Sequence, residues 1–329
     1  MLIIYLIVAL LDVNPNYEAI MSQKIVFYNH FHNGDLHVSR GIIRQIINKV
    51  KQLDVNTEFV YSHKNSSDIL SDIPNLTFDL KPVYLMSEAH SNLNVINNAI
   101  CINTWYGQQN YKYMNSYGLT MDCLYMALND SCKKIWNFSL DELSENLVNF
   151  FPYIDYTQFN IETIKNWLVQ HQQKKIFIAN GLALSDQATN FAITPIITKL
   201  AVKHPDVIFI LTNVEKHQSL LPNNVIYSSS IIKKRSSDLN ENSFLSTHCD
   251  VIIGRNSGAS TFAMTRENLF HSNKTILLFT NIVPQPPNKF WTREVFRDKV
   301  NYSANIICSN ETNINVIYNM IHNAITGNL

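Results

Sequence analysis

The segment KIVFYNH (residues 24–30) is an apolar run that closes on the crowded polar stretch FHNGDLHVSR (31–40) and reopens as RGIIRQIINKV (40–50), with apolar residues at helical spacing. The same grammar returns near the other end of the chain, where DVIIGRNSG (250–258) runs into ASTFAMTRENL (259–269). A strand that ends in small and polar residues and passes directly into a helix is the repeating unit of parallel α/β sheets. This alternation constrains the chain more than any other feature.

Between the two turns the pattern continues. TEFVYSH (57–63), the patches at 76–78 and 83–85, and AICI (99–102) read as strands, and LTMDCLYMAL (119–128) reads as a helix. Ser139 ahead of Asp141-Glu142 is a helix-start signal, Phe150-Phe151-Pro152 a break, and 153–160 a linker before the helix IETIKNWLVQHQ. The grammar then restarts: strands at 174–181, 207–213, 224–230, 250–258 and 274–281, helices at 190–204 and 241–249, and a closing helix at 312–324. With 329 residues the chain is long enough for two cores. The expected fold class is therefore α/β, two Rossmann-like domains facing across a cleft. Residues 1–20 form an N-terminal apolar extension, 21–155 an acceptor-side domain and 156–310 a donor-side domain. Residues 311–329 form a C-terminal helix placed to cross back to the first domain. In open parallel sheets, ligands bind beyond the carboxyl ends of the strands, where both polar turns lie.

Composition removes several classes. The 26 Lys and Arg balance 26 Asp and Glu, so the basic excess that nucleic acid demands is missing and no nucleic-acid partner is expected. Abundant Asn and Ile beside only 8 Gly read as the imprint of an AT-rich genome, and Asn-X-Ser/Thr sequons (Asn65, Asn137, Asn273) follow from the asparagine content. The five cysteines, odd in number and without a Cys-X-X-Cys pair, indicate buried thiols rather than zinc or disulfides. MLIIYLIVALLDV is shorter than the ~20 apolar residues of a spanning helix and lacks a basic leader, so no stable membrane span is expected, a weak signal or anchor being the other reading. Met21-Ser22-Gln23-Lys24 resembles the start of a cytoplasmic domain.

Each turn admits two readings. Arg255, Asn256, Ser257, Gly258, Ala259 and Ser260 could make an anion site from free helix amides and small side chains, with Arg255 adding charge. Equally, Ser257 caps a tight turn and Arg255 lies on the surface. Asp35 in Asn33-Gly34-Asp35 could take a proton from a hydroxyl nucleophile, or could cap its own helix. His30, His32 and His37 are spaced too irregularly for a metal set, although His30 and His32 would share a strand face. No Walker loop, GxGxxG, GxSxG or HExxH is present, nor an Asp-X-Asp pair for a metal diphosphate, so neither a metal nor a cofactor is expected.

Taken together, the turns resemble glycosyltransferases of the GT-B type, and most closely glycosyltransferase family 9, the ADP-heptose lipopolysaccharide heptosyltransferases. Gly34-Asp35 is similar to the family's first Gly-Asp turn, and Asn256-Ser257-Gly258 to its Asp-Ser/Thr-Gly turn. The chain departs from the family where Gly41 stands for a proline, Asn256 for an acid, and Ser260-Thr261 for a histidine. These changes bear on the donor sugar more than on the fold.

The resemblance implies a metal-independent transferase moving a sugar from a nucleotide-sugar to a hydroxyl acceptor: a glycan, a lipid-linked group or a protein. It implies Asp35 as general base and the helix at Gly258 as the seat of the donor diphosphate. Asn180, Gly181, Thr212, Asn213, Tyr227, Ser228 and Glu241 would line the nucleotide, Glu241 being equally a solvated helix-start acid. His32, Asn33, Gly34, Arg40, Trp105 and Tyr106 would face the acceptor, Trp105 being equally a packing residue. Two further readings stand beside it, a non-catalytic two-domain binding protein and a nucleotide-sugar epimerase of the same architecture.

Overall fold

The computed structural model describes residues 24–29, 32–64, 67–79, 93–96, 98–105, 120–144, 146–184, 186–214, 220–233, 237–283, 291–292, 295–296 and 299–329. The expected extension at 1–20, the strand at 83–85, and His30 and Tyr106 lie outside them.

The first sheet is built from β1 (Lys24–Tyr28), β2 (Glu58–Ser62), β3 (Leu76–Asp79), β4 (Leu93–Ile96) and β5 (Ala99–Asn103), in the order β3-β2-β1-β5-β4. All neighbours are parallel except β4, which runs antiparallel to β5 at the edge. The second sheet holds β6 (Lys175–Ala179), β7 (Ile208–Leu211), β8 (Val225–Tyr227), β9 (Val251–Arg255), β10 (Thr275–Phe279) and β11 (Asn305–Ser309), in the order β11-β10-β9-β6-β7-β8 and wholly parallel. Strands buried on both faces read as continuous apolar runs, which is why β6, β7 and β9 were visible in the sequence. The edge strands β4 and β11 carry no such run and were not anticipated.

The helices are α1 (Asn33–Leu53), α2 (Met121–Trp136), α3 (Glu162–Gln170), α4 (Thr194–Lys203), α5 (Leu239–Thr247), α6 (Gly258–Phe262), α7 (Arg266–Phe270) and α8 (Ile314–Thr326). Helix α1 buries Ile42, Ile43, Ile46, Ile47 and Val50 as one stripe. At roughly 1.5–3 kcal/mol per buried aliphatic side chain, that stripe anchors the helix to its sheet. The helix begins at Asn33 rather than near Arg40, so the polar stretch is its first two turns and not a loop before it. Strand β1 stops at Tyr28, so His32 is the residue capping α1 and not part of the strand. The helix expected over 259–269 is two short helices, because the Thr265 side chain accepts the Asn268 N–H and starts α7 afresh.

One apolar cluster runs through both sheets, joining Ile25 and Phe27 of β1 to Phe177 of β6 and Ile252 of β9. A second cluster covers the far face of the second sheet, where α8 contributes Ile317, Ile321, Ala324 and Ile325. Helix α8 therefore packs on the second sheet instead of crossing back. The connection between β10 and β11 crosses in its place: Met121 N–H donates to Trp291 O at 2.8 Å, and Asp122 accepts the Val295 and Phe296 N–H groups. No described helix is long and apolar enough to cross a membrane.

Candidate active site

In each sheet the chain steps from the central strand to one side and later returns to the other. That leaves crevices at the carboxyl ends of β1 and β5 in the first sheet, and of β6 and β9 in the second. Gly34-Asp35 follows β1, Asn180-Gly181 follows β6 and Asn256–Gly258 follows β9. The two helix starts meet: a methyl group built on Gly34 would lie 3.3 Å from Gly258 Cα and 3.4 Å from Thr261 Cβ. Only a residue without a side chain permits that approach without displacing its neighbour.

Asp35 is the third residue of α1, and its Oδ2 accepts the His32 N–H at 3.4 Å, the reach-back half of a capping box. Burial pushes its pKa up to about 6, against the smaller opposing effect of the His32 N–H. A half-buried carboxylate with that affinity is suited to accept a proton near neutral pH. The capping and proton-accepting readings are thus compatible in one geometry. Nearby, at the carboxyl edge of the first sheet, Tyr61 OH and Thr104 Oγ1 lie 2.6 Å apart, and Thr104 donates to Tyr28 O at 3.1 Å. Burial, and to a lesser degree the Asp35 charge, drives the Tyr61 pKa upward, so this hydroxyl stays protonated. Sequence reading missed this relay, because Tyr28, Tyr61 and Thr104 come together only through strand register.

Around β9 the cap is uncharged. Ser260 Oγ accepts the Ser257 N–H at 3.0 Å and donates to Ser257 O at 2.9 Å. Ser257 Oγ is buried without a hydrogen-bond partner. Gly181 lies opposite: a methyl there would sit 2.9 Å from the Asn213 side-chain amide, 3.4 Å from Ala259 Cβ and 3.9 Å from Ser257 Oγ. Ser257, Gly258, Ala259, Gly181 and Asn213 are thereby gathered into one corner. With its amide turned to satisfy its neighbours, Asn213 accepts the Gly181 N–H at 3.3 Å. Asn256 is tied into the sheet, its N–H on Phe279 O at 2.8 Å and its side-chain amide on Thr280 Oγ1 at 3.1 Å.

Several expected ligands have other work. Arg255 is buried and not at the surface; its guanidinium donates to Asn180 O, to Gly181 O at 3.1 Å and to Phe191 O at 2.5 Å. It shapes the loop after β6 rather than reaching out to an anion. Arg40 is also buried, bonded to Ile69 O and Asn240 Oδ1, and does not face the acceptor side. Asn180 holds the β7 loop, accepting from Asn213 N–H at 2.7 Å and Thr212 Oγ1 at 3.1 Å. Glu241 is buried in the first turn of α5 and is not a solvated acid. Tyr227 ends β8 half-buried, and Ser228 is buried at the start of the following turn. His32 is exposed at the rim, Asn33 half-buried, and Trp105 half-buried with its backbone N–H on Asn103 Oδ1 at 2.9 Å. Among the described residues no group of three or more His, Cys, Asp or Glu is placed to hold a metal.

Gly41 is held by close packing against the 150–151 turn. A Cβ there would lie 2.3 Å from the carbonyl oxygens of Phe150 and Phe151. A proline at this position would collide with the turn that carries the linker.

No protein-family model and no curated protein sequence matches the chain. Solved structures do. ADP-heptose lipopolysaccharide heptosyltransferase II of E. coli aligns with a TM-score of 0.50 at 10% identity, over 92% of this chain and 99% of that one. A family 9 glycosyltransferase from Veillonella parvula aligns at 0.45 and 10% identity over 91% and 90% of the two chains. E. coli heptosyltransferase WaaC, solved with ADP-2-deoxy-2-fluoro heptose, aligns at 0.44 and 9% identity over 91% and 99%. The first of these alignments carries the fold: two Rossmann-like sheets arranged as in a GT-B glycosyltransferase.

Proposed function

We propose that this protein transfers a sugar from a nucleotide-sugar donor to a hydroxyl acceptor, without a metal ion, with Asp35 as general base. The observation that carries the reading is the meeting of Gly34-Asp35 with Ser257-Gly258, from opposite sheets, at van der Waals distance. It sets a proton acceptor beside a corner that holds the buried Ser257 hydroxyl.

In the reaction the acceptor hydroxyl gives its proton to the Asp35 carboxylate while its oxygen attacks the anomeric carbon. The bond from that carbon to the diphosphate oxygen breaks, and the electron pair leaves with the diphosphate. Ser257 Oγ–H and the first amides of α6 would hold the departing negative charge, with Gly181 leaving room for it. Gly258 and Ala259 carry no bulk against it. Trp105, just after β5, and His32, at the start of α1, would flank the acceptor side.

The test is a transfer and donor-hydrolysis assay with ADP-heptose and a panel of ADP-, UDP- and GDP-sugars, with and without EDTA. Turnover that survives EDTA and collapses in Asp35→Ala, with nucleotide binding intact, is the expected result. Saturable binding without turnover would leave a passive binding protein, and conversion of donor alone to an epimer would leave an epimerase. No nucleotide-sugar binding at all removes the class.

A further inference from the structure

Residues 34, 37 and 40 lie on one face of α1 and follow α6 along its length. Gly34 meets Gly258 and Thr261, the His37 ring stacks on Phe262 at 4.5 Å between centroids, and the Arg40 guanidinium lies over the same ring at 6.0 Å. Arg40 then reaches past α6 to the second domain. Its Nη2 donates to Ile69 O and, at 3.0 Å, to Asn240 Oδ1, while Asp72 Oδ1 stands 3.7 Å away as counter-charge. The Asn240 amide returns to the first domain, donating to Asp68 O at 3.2 Å and Ile69 O at 3.1 Å. Arg40, Asn240 and the 68–69 turn therefore form a closed ring of hydrogen bonds across the seam. Its two side chains are 0% and 3% exposed. The linker adds to it, with Tyr156 OH 3.0 Å from Ser243 Oγ and Ser243 donating to Phe262 O at 2.6 Å.

We infer that Arg40 and Asn240 are positioning residues that fix the Asp35 turn against the Ser257 turn in the resting protein, so that the site is assembled before any ligand binds. Sliding the domains would strip a buried guanidinium of its partners, and a buried charge without partners is strongly disfavoured. What the fixed spacing serves rests on the glycosyl-transfer reading; the fixed spacing itself does not.

Two exposed residues on opposite domains, Leu53 and Val202 (62% and 72% exposed), can be changed to cysteine and spin-labelled, because all five native cysteines are buried. Double electron–electron resonance on Leu53→Cys/Val202→Cys should give one narrow distance, unchanged by ADP or UDP. Adding Asn240→Ala should broaden it, and Asn240→Asp, which keeps the acceptor for Arg40 but sets a carboxylate oxygen against the Asp68 and Ile69 carbonyls, should broaden it as well. In the transfer assay Asn240→Ala should lower kcat about tenfold with donor KM within about twofold, the signature of lost alignment rather than lost binding. Two distances in the wild type, a shift on adding nucleotide, or a narrow distribution in Asn240→Ala would overturn the inference. Thermal melts of each variant would establish that it is folded. Absence of turnover in the wild type would remove the glycosyl-transfer reading while leaving the distance result to stand or fall by itself.

Discussion

The two turns solve one backbone problem in opposite electrostatic senses. Each helix start leaves amides without internal partners, and each uses the side chain three residues after the cap to reach back to the cap N–H. At α1 that side chain is Asp35, 3.4 Å from His32 N; at α6 it is Ser260, 3.0 Å from Ser257 N. The carboxylate fills its helix start with negative charge and stands ready to take a proton. The hydroxyl brings no charge, and the Ser257 Oγ beside it is the group the proposed function would turn to an anion. Under the proposed reading, the same local geometry serves as a base on one side and an anion seat on the other.

Replacing the acid is the harshest test of that contrast. Asp35→Asn keeps the shape and the reach-back acceptor while losing the base, and should lower kcat by about 10²–10⁴-fold. In the wild type, kcat/KM should fall as pH drops through about 6, because the carboxylate must be ionised. Stability should move the other way. Folding raises the Asp35 pKa from 3.8 to about 6, so the folded state disfavours the charged form; the cost is full above about 6 and gone below about 4. Asp35→Asn should therefore melt higher than wild type at pH 7, with the difference shrinking through that window. A variant that keeps full turnover would break the assignment of the base, and one no more stable at pH 7 would break the raised pKa, while either leaves the fold intact.

Separating the turns tests their contact. Gly34→Val adds bulk 3.3 Å from Gly258 Cα and should cost on the order of 10²-fold in kcat with little change in nucleotide affinity. Gly181→Ala disturbs only the anion side, where the new methyl lies 2.9 Å from the Asn213 amide. It should raise the donor KM by about tenfold and leave the pH limb near 6 in place. If Gly181→Ala shifted that limb, the two halves would not be electrostatically distinct.

The parallel strands and both turns were legible in the sequence because they obey short-range rules: apolar runs, a capping acid, small residues opening a helix. What escaped was set by partners far away in the chain. Arg255 reads as a phosphate ligand until β9 is seen paired with β6, which sets it against the carbonyls of Asn180 and Gly181. Arg40 reads as an acceptor contact until α1 is known to begin at Asn33, which turns residue 40 inward towards Asn240. Both are cations beside a turn, and nothing local tells a buried carbonyl-bound guanidinium from an exposed one. The Tyr61–Thr104 relay was hidden for the same reason, its members being joined only by register.

The smallest change is the most selective. Ser257 Oγ faces the Ser260 N–H across the capping box without making a full hydrogen bond, so Ser257→Ala removes little and relieves a buried unpaired hydroxyl. Its melting temperature should equal or exceed that of wild type by the few degrees that about 1 kcal/mol represents. If the hydroxyl donates to a diphosphate, the same variant should bind ADP or UDP about 3–10-fold more weakly by calorimetry, as loss of one hydrogen bond to a charged group requires. A serine that served only as a helix cap would give the reverse pattern, lower stability with unchanged nucleotide affinity, because the cap and the anion seat draw on the same oxygen and cannot both be its main use.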